Sequence, residues 1–279
     1  MKGPVISNPA RPKANAIVQR HKQVIMTSTM VPYPIVGECA EGALVSDPDG
    51  NVYLDFSSAV AVMNVGYNHP DVKKAILDQA EKLVHFAGND YYNARQVELA
   101  EKLVSITPGD FQKQVFFSNS GAESVECAFK LARRHTKKPC MLSFLGAFHG
   151  RTFGALSLSA CQALHKKHFS PLVPQVFHVP YAYCYRCAYD LEYPSCDLWC
   201  AKYLDEVALR YSASEDIAAL IAEPVQGEAG YIVPPQKFLA QIESTCRKKG
   251  ILFIVDEVQT GLARTGKMFA SEHFGIYPD

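Results

Sequence analysis

Four short stretches of this sequence carry groups able to hold an anion, a planar ring and a carboxylate. In Phe117-Ser118-Asn119-Ser120-Gly121-Ala122-Glu123, Ser120 and Glu123 have the spacing of a helix capping box, and the glycine between them lets a ligand approach the backbone closely. A helix that starts there turns free N–H groups and a positive dipole end outward, which is an anion site; a plain helix cap would read the same way. In Gly146-Ala147-Phe148-His149-Gly150-Arg151-Thr152 an aromatic between glycines can lie against a flat ring, and the arginine fork can hold a carboxylate through two parallel bonds. A turn with a core Phe and a solvated Arg is the plainer alternative. Glu223-Pro224-Val225-Gln226-Gly227-Glu228 places a carboxylate before a proline that stops strand pairing. Asp256-Glu257-Val258-Gln259-Thr260-Gly261 places an aspartate straight after five apolar residues. That carboxylate is costly to bury unless a cation or strong donor meets it, and a protonated ring nitrogen would qualify; capping of a following helix is the alternative.

These stretches need positioning, and the intervening residues supply it. Short apolar runs at Val115–Phe117, Met141–Phe144, Val176–Val179, Ala219–Ala222 and Ile251–Val255 have no polar face, as expected of strands buried on both sides. Helical periodicity covers about 72–83, 95–105, 122–135, 199–211 and 236–249. Strands alternating with helices predict an α/β domain with a mostly parallel sheet, whose ligands collect at the strands' carboxyl ends. Residues 1–35 read as a Pro-rich polar arm with a short helix near Asn15–Met26, and Asp47-Pro48-Asp49-Gly50 as a hairpin turn between Glu41–Val45 and Val52–Phe56. A first segment over 1–65 and a large domain over 66–279 follow from the change of texture near His69-Pro70.

Lys and Arg total 28 and Asp and Glu 28, so no net charge draws the chain to nucleic acid or an anionic membrane. No apolar run reaches the length of a membrane span or of a secretory leader at the N-terminus, and a cytoplasmic protein is expected.

The four stretches, in this order and at this spacing, resemble the class III aminotransferases of fold type I, from about residue 35 to the last residue. The resemblance implies the large domain of a pyridoxal-phosphate (PLP) transferase with the N-terminal part of a small domain. It implies that Ser120, Gly121 and Ala122 form the cofactor's phosphate cradle, that Phe148 stacks on its ring with His149 in the same site, and that Gln259 bonds its phenolic oxygen. Asp256 would keep the ring nitrogen protonated, Arg151 would bind a substrate carboxylate, and Glu223 would pair with a C-terminal arginine to switch substrates. The Schiff-base lysine is expected beyond residue 279, so residues 1–279 by themselves are expected to be inactive.

The stretch Ala59–Pro70 is similar to 4-aminobutyrate aminotransferases, and Met30 stands where ornithine aminotransferases carry a substrate-gripping tyrosine. The implied reaction moves the amino group of an ω-amino acid to 2-oxoglutarate in a homodimer. An ornithine or acetylornithine aminotransferase, an amino-acid racemase of the same family, and a non-catalytic PLP- or phosphate-binding homologue are the alternatives.

Cys184-x2-Cys187-x8-Cys196-x3-Cys200 puts four thiols within one short segment rich in tyrosine. Two close pairs could ligate zinc or an iron–sulfur cluster, or could be reduced thiols or disulfides in a loop.

Overall fold

The computed structural model describes residues 3–28, 31–88, 90–208 and 214–279. These group into two compact units, one ending at Asn93 and one beginning at Ala94. Met30 lies outside the described residues, so the structure bears nothing on the ornithine comparison.

In the first unit, a helix over Pro12–Val24 precedes a small antiparallel sheet of β1 (Cys39–Glu41), β2 (Leu44–Ser46) and β3 (Val52–Leu54). The expected hairpin forms, with Leu44 opposite Leu54 and Ser46 opposite Val52. Its turn is organised by buried Asp47, whose carboxylate accepts from the Asp49 and Asn51 backbones at 3.0 and 2.9 Å and from Asn51 Nδ2 and Tyr53 Oη at 2.7 and 2.9 Å. The run Glu41–Val45, expected as one strand, is instead broken by a second tight turn. Gly42 adopts φ +61°, open to glycine without strain, and its N–H and C=O bridge to Tyr67.

A carboxylate also holds the next turn. Asp55 accepts from Ser57 Oγ at 2.6 Å, Tyr67 Oη at 2.7 Å and the backbone N–H groups of Ser57, Ser58 and Ala59. The Ser57 hydroxyl first, and then Tyr67 and these N–H groups against the opposing effect of burial, hold its carboxyl down at about 2. A carboxyl depressed from its usual 3.8 stabilises the fold above that value and loses the contribution as pH falls toward 2. Asp55→Asn is therefore expected to flatten the fall in melting temperature between about pH 4 and pH 2. A variant whose acid profile superimposes on the parent's would contradict this.

The second unit is built on a parallel sheet in the order β5-β4-β6-β7: Val176–Val179, Cys140–Phe144, Ile217–Ala222 and Leu252–Val255. Every residue of β4 and β6 is buried. Alternate residues of β6 feed two cores. Leu220 and Ala222 pack with Phe238, Leu239 and Ile242 of the helix Gln236–Lys249; Ala219 and Ile221 pack with Val125, Phe129 and Ala132 of the helix Gly121–Thr136. With helices on both faces, neither face of β6 can be polar, which is why its sequence shows no alternation. Each large apolar side chain buried there contributes about 1.5–3 kcal/mol relative to exposure.

Two expectations fail. Val115–Phe117 is not hydrogen-bonded as a strand, and Phe116 stays 67% exposed; no described strand flanks it to complete a ladder. The helix expected over 199–211 forms as Trp199–Tyr203 and widens into a π turn over Leu204–Ala208, while residues 209–213 lie outside the described residues. No described helix is long and apolar enough to cross a membrane.

Candidate active site

Parallel strands end on one edge of the sheet, so the segments after β4, β6 and β7 meet although 75 and 107 residues separate their contacting members. Glu223, directly after β6, is the first link. Its Oε1 accepts from the Phe148 backbone N–H at 2.9 Å and its Oε2 from the Gly227 N–H at 3.0 Å. One carboxylate thus fixes both the aromatic turn after β4 and its own turn. Burial pushes the Glu223 carboxyl up, opposed by His149 and by these two N–H donors.

Asp256, directly after β7, is the second link. Its Oδ1 accepts from the Val258 N–H at 3.0 Å and its Oδ2 lies 2.7 Å from His149 Nδ1. The aspartate side chain is 6% exposed and the histidine's fully buried. Asp256 has no lysine or arginine partner in the ion pairs of the described residues. His149 is itself oriented: its N–H donates to Ser159 Oγ at 2.9 Å, while its Nε2 is buried with no protein partner. A buried carboxylate that retains acceptor capacity, beside an unsatisfied ring nitrogen, suits a polar heterocycle carrying a cationic N–H.

The third link is the start of the helix Gly121–Thr136. Ser120 Oγ accepts from the Glu123 N–H at 3.2 Å, as the capping spacing predicts, whereas Glu123 Oε2 returns to the Asn119 N–H at 2.7 Å rather than to Ser120. The N–H groups of Gly121 and Ala122 precede the first intrahelical bond and remain donors for an anion. Tight contacts lock this start to the other turns. A methyl at Gly150 would stand 2.7 Å from Ala122 Cβ, and one at Gly121 would stand 2.9 Å from a Val258 methyl. Gln259 lies over Gly227, so close that a Cβ there would come within 2.0 Å of its Oε1.

A cavity of about 690 Å³ lies elsewhere, lined by Gly109–Phe111, Arg247 and Tyr277–Asp279, and touches none of these groups. It offers no catalytic constellation.

The resulting set, an anion cradle, an aromatic turn and a buried acid at neighbouring strand ends, has counterparts among known proteins. The family model for class-III aminotransferases matches residues 25–279. The chain belongs to the class-III aminotransferases. It is 38% identical to the alanine/serine racemase of Pyrococcus horikoshii over 99% of this chain and 59% of that protein. It is 41% identical to a probable 4-aminobutyrate aminotransferase of Bacillus subtilis over 86% of this chain and 55% of that one. The crystal structure of taurine:2-oxoglutarate aminotransferase from Bifidobacterium kashiwanohense superposes with a TM-score of 0.86 at 32% identity, covering 95% of this chain and 60% of that one. The chain thus spans about three-fifths of the length of the class-III aminotransferases it matches. Its fold is that of the PLP-dependent aminotransferases.

Within this class-III fold, Glu223, Phe148, His149, Asp256, Gln259, Ser120, Gly121 and Ala122 are drawn together through the contacts above. Arg151 follows the aromatic turn and is exposed. The ring of Phe148 meets His165 edge-on, with centroids 5.8 Å apart. Residues that the sequence motifs do not mark also shape the site. Glu126 Oε1 accepts from Thr152 Oγ1 and from the N–H groups of Gly154 and Ala155, capping the helix that follows Arg151. Tyr181, just past β5, donates to the Glu223 and Pro224 carbonyls at 3.0 and 3.1 Å. Inspection of the end of β5, like that of β4, β6 and β7, would have found Tyr181; no local pattern marks Glu126. Cys184, Cys187, Cys196 and Cys200, expected as metal ligands, line one cavity but are not drawn into a coordination shell. Among the described residues no group of three or more His, Cys, Asp or Glu is arranged to hold a metal ion.

Proposed function

We propose that the protein is a PLP-dependent transaminase that moves the amino group of an ω-amino acid, 4-aminobutyrate or one like it, to 2-oxoglutarate. The observation that carries this reading is buried Asp256, oriented by His149 and without a lysine or arginine partner among the described ion pairs. Bound PLP supplies an electron sink that loosens bonds at the amino-bearing carbon of the substrate. The protein's residues do the rest. The N–H groups of Gly121 and Ala122 bind the phosphate, and Asp256 holds a proton on the ring nitrogen. Glu223 fixes the Phe148 backbone, so that the Phe148 side chain would stack on the cofactor's ring, and Gln259 would bond its phenolic oxygen. Arg151 grips the substrate carboxylate through its planar fork. The lysine that anchors the cofactor is expected past Asp279, and the working assembly is expected to be a homodimer.

The test is the lysine-bearing protein with PLP, 4-aminobutyrate and 2-oxoglutarate, followed by glutamate formation. No glutamate from this donor, with activity toward other donors, would remove the ω-amino-acid reading. Racemisation is a second reading, favoured by the 38% identity to an alanine/serine racemase. It predicts interconversion of L- and D-alanine without an oxo acid.

Arg151→Lys keeps the charge and loses the fork. KM for 4-aminobutyrate is expected to rise about tenfold with kcat little changed, because the contact is made equally before and during reaction. A monoamine lacking a carboxylate should be unaffected. Equal damage to both substrates would remove Arg151 from the carboxylate-binding role.

A further inference from the structure

The short helix Phe153–Leu158, which begins two residues after Arg151, is capped by a residue from another element. Thr152 stands at its N-cap, yet the threonine side chain caps nothing. An N-cap hydroxyl accepts from the N–H of the second or third helical residue, here Gly154 or Ala155. Both of these instead donate to Glu126 Oε1, at 2.8 and 3.2 Å, and the Thr152 hydroxyl becomes a donor to the same oxygen at 2.6 Å. A carboxylate suits the positive end of a helix in charge as well as in acceptor capacity. Glu126 takes no part in the ion pairs of the described residues, so no cation draws it away from the cap. A methyl at Gly154 would stand 2.3 Å from Glu126 Oε2 and 2.8 Å from its Oε1 and Cδ, so the carboxylate lies directly against the bare backbone there.

Glu126 belongs to the helix Gly121–Thr136, whose start is proposed to hold the phosphate. Four residues before it, on the same face, is Ala122. Ala122 meets Gly150, where an added methyl would stand 2.7 Å from Ala122 Cβ. One helix face thus grips the chain immediately before Arg151, at Gly150, and immediately after it, at Thr152. The far end of the short helix adds a third hold: Ser159 Oγ accepts from the His149 N–H at 2.9 Å and lies 3.1 Å from the Gly150 carbonyl oxygen. Between these holds only the Arg151 side chain is left to reach outward, and it is exposed.

We propose that Glu126 is the positioning residue of Arg151. The inference rests on the carboxylate-binding role proposed for Arg151 above and extends it. A guanidinium on a long side chain meets a carboxylate through two parallel bonds only where its backbone is fixed. Here the backbone is bracketed by the element that also carries the phosphate cradle, so a single helix spaces the group for the cofactor's phosphate from the group for the substrate's carboxylate. Glu126 acts through Arg151 and not on a substrate. Its removal frees the chain after Arg151 and leaves the cradle, whose turn is held by Ser120 and Glu123.

The test compares Glu126→Ala, Glu126→Gln and Gly154→Ala in the lysine-bearing protein. Alanine at 126 removes the acceptor and glutamine keeps one at the same reach. The methyl of Gly154→Ala evicts the carboxylate without deleting it, since the atoms in its way are the far end of a flexible side chain. Glu126→Ala is expected to raise KM for the amino-acid donor about tenfold, with kcat, and turnover of a monoamine lacking a carboxylate, within about twofold of the parent. PLP affinity should stay within about twofold, and Glu126→Gln should recover most of KM. Gly154→Ala should repeat the Glu126→Ala result, and the double variant should be no worse than either, because the carboxylate can be lost only once. The backbone amides of residues 154 and 155 should exchange with deuterium about tenfold faster in Glu126→Ala and Gly154→Ala, a readout that needs neither cofactor nor substrate. Should Glu126→Ala fail to fold, Gly154→Ala decides by itself.

Unchanged exchange at these amides overturns the proposal. So do additive losses in the double variant, or losses that fall equally on the amino acid, the monoamine and PLP, as a cap serving stability alone would give. Arg151→Lys in parallel separates this proposal from the reading beneath it. A rise in KM from Arg151→Lys with none from Glu126→Ala or Gly154→Ala rejects Glu126 and leaves Arg151 in its role, whereas no rise from Arg151→Lys rejects the carboxylate role and Glu126 with it.

Discussion

Asp256→Ala is expected to lower kcat about a thousandfold, a loss of roughly 4 kcal/mol of transition-state stabilisation, in the protein carrying the cofactor lysine. On the proposed reading the carboxylate holds a proton on a cationic ring nitrogen, and its removal leaves that nitrogen no anion to keep its proton. The environment sharpens the effect. With the side chain only 6% exposed, water cannot readily replace the lost oxygens, and His149 Nδ1 and the Val258 N–H lose their partners together. Asp256→Glu should retain part of the rate, since the charge survives but its position does not. The comparison is single-turnover kinetics at saturating PLP, with circular dichroism confirming that each variant is folded. A folded alanine variant within threefold of the parent rate would sink the assignment of Asp256.

Gly150→Ala is expected to be the most damaging small substitution in the site. Two costs coincide there. Gly150 has φ +128°, where a side chain is strained, and its added methyl would come within 2.7 Å of Ala122 Cβ and 3.0 Å of Ala122 Cα and Ala155 Cβ. Ala122 belongs to the helix start proposed to offer N–H groups to the phosphate, so the clash would push on that cradle and no rotamer change relieves it. A loss of about 2–4 kcal/mol in stability and a weakening of PLP binding by about 10–100-fold are expected. Gly230→Ala separates the two causes. That residue has φ +119° but nothing within 4 Å of an added methyl, so it should show only the backbone cost of about 1 kcal/mol. Equal losses at both positions, in thermal melts and PLP titrations, would mean that crowding of the cradle plays no part.

Much of the sheet was legible because burial on both faces leaves a local trace. A strand such as Ile217–Ala222, covered by helices on either side, must be apolar at every position, and a run of that kind is visible without knowledge of its neighbours. The capping spacing of Ser120 and Glu123 is local too, and the helix starts where that pattern puts it. Strand formation at Val115–Phe117 could not be read in this way, because apolar composition does not supply a hydrogen-bonding neighbour and none of the described strands flanks it.

By itself, then, the sequence determined the buried central strands Cys140–Phe144 and Ile217–Ala222, where the capped helix Gly121–Thr136 begins, and which polar groups stand at strand ends, since each is set by residues within a few positions of one another. Only the tertiary structure decided which ends meet. The order β5-β4-β6-β7 sets the end of β4 beside that of β6, so that Glu223 reaches the Phe148 backbone, and brings His149 to Asp256 across 107 residues. Glu126 caps a helix 28 residues away, and four cysteines spaced along one segment come to face a common cavity. No spacing rule encodes such pairings, because they arise from how parallel strands order themselves when both faces of the sheet must be covered, a condition on the whole unit rather than on any stretch of it.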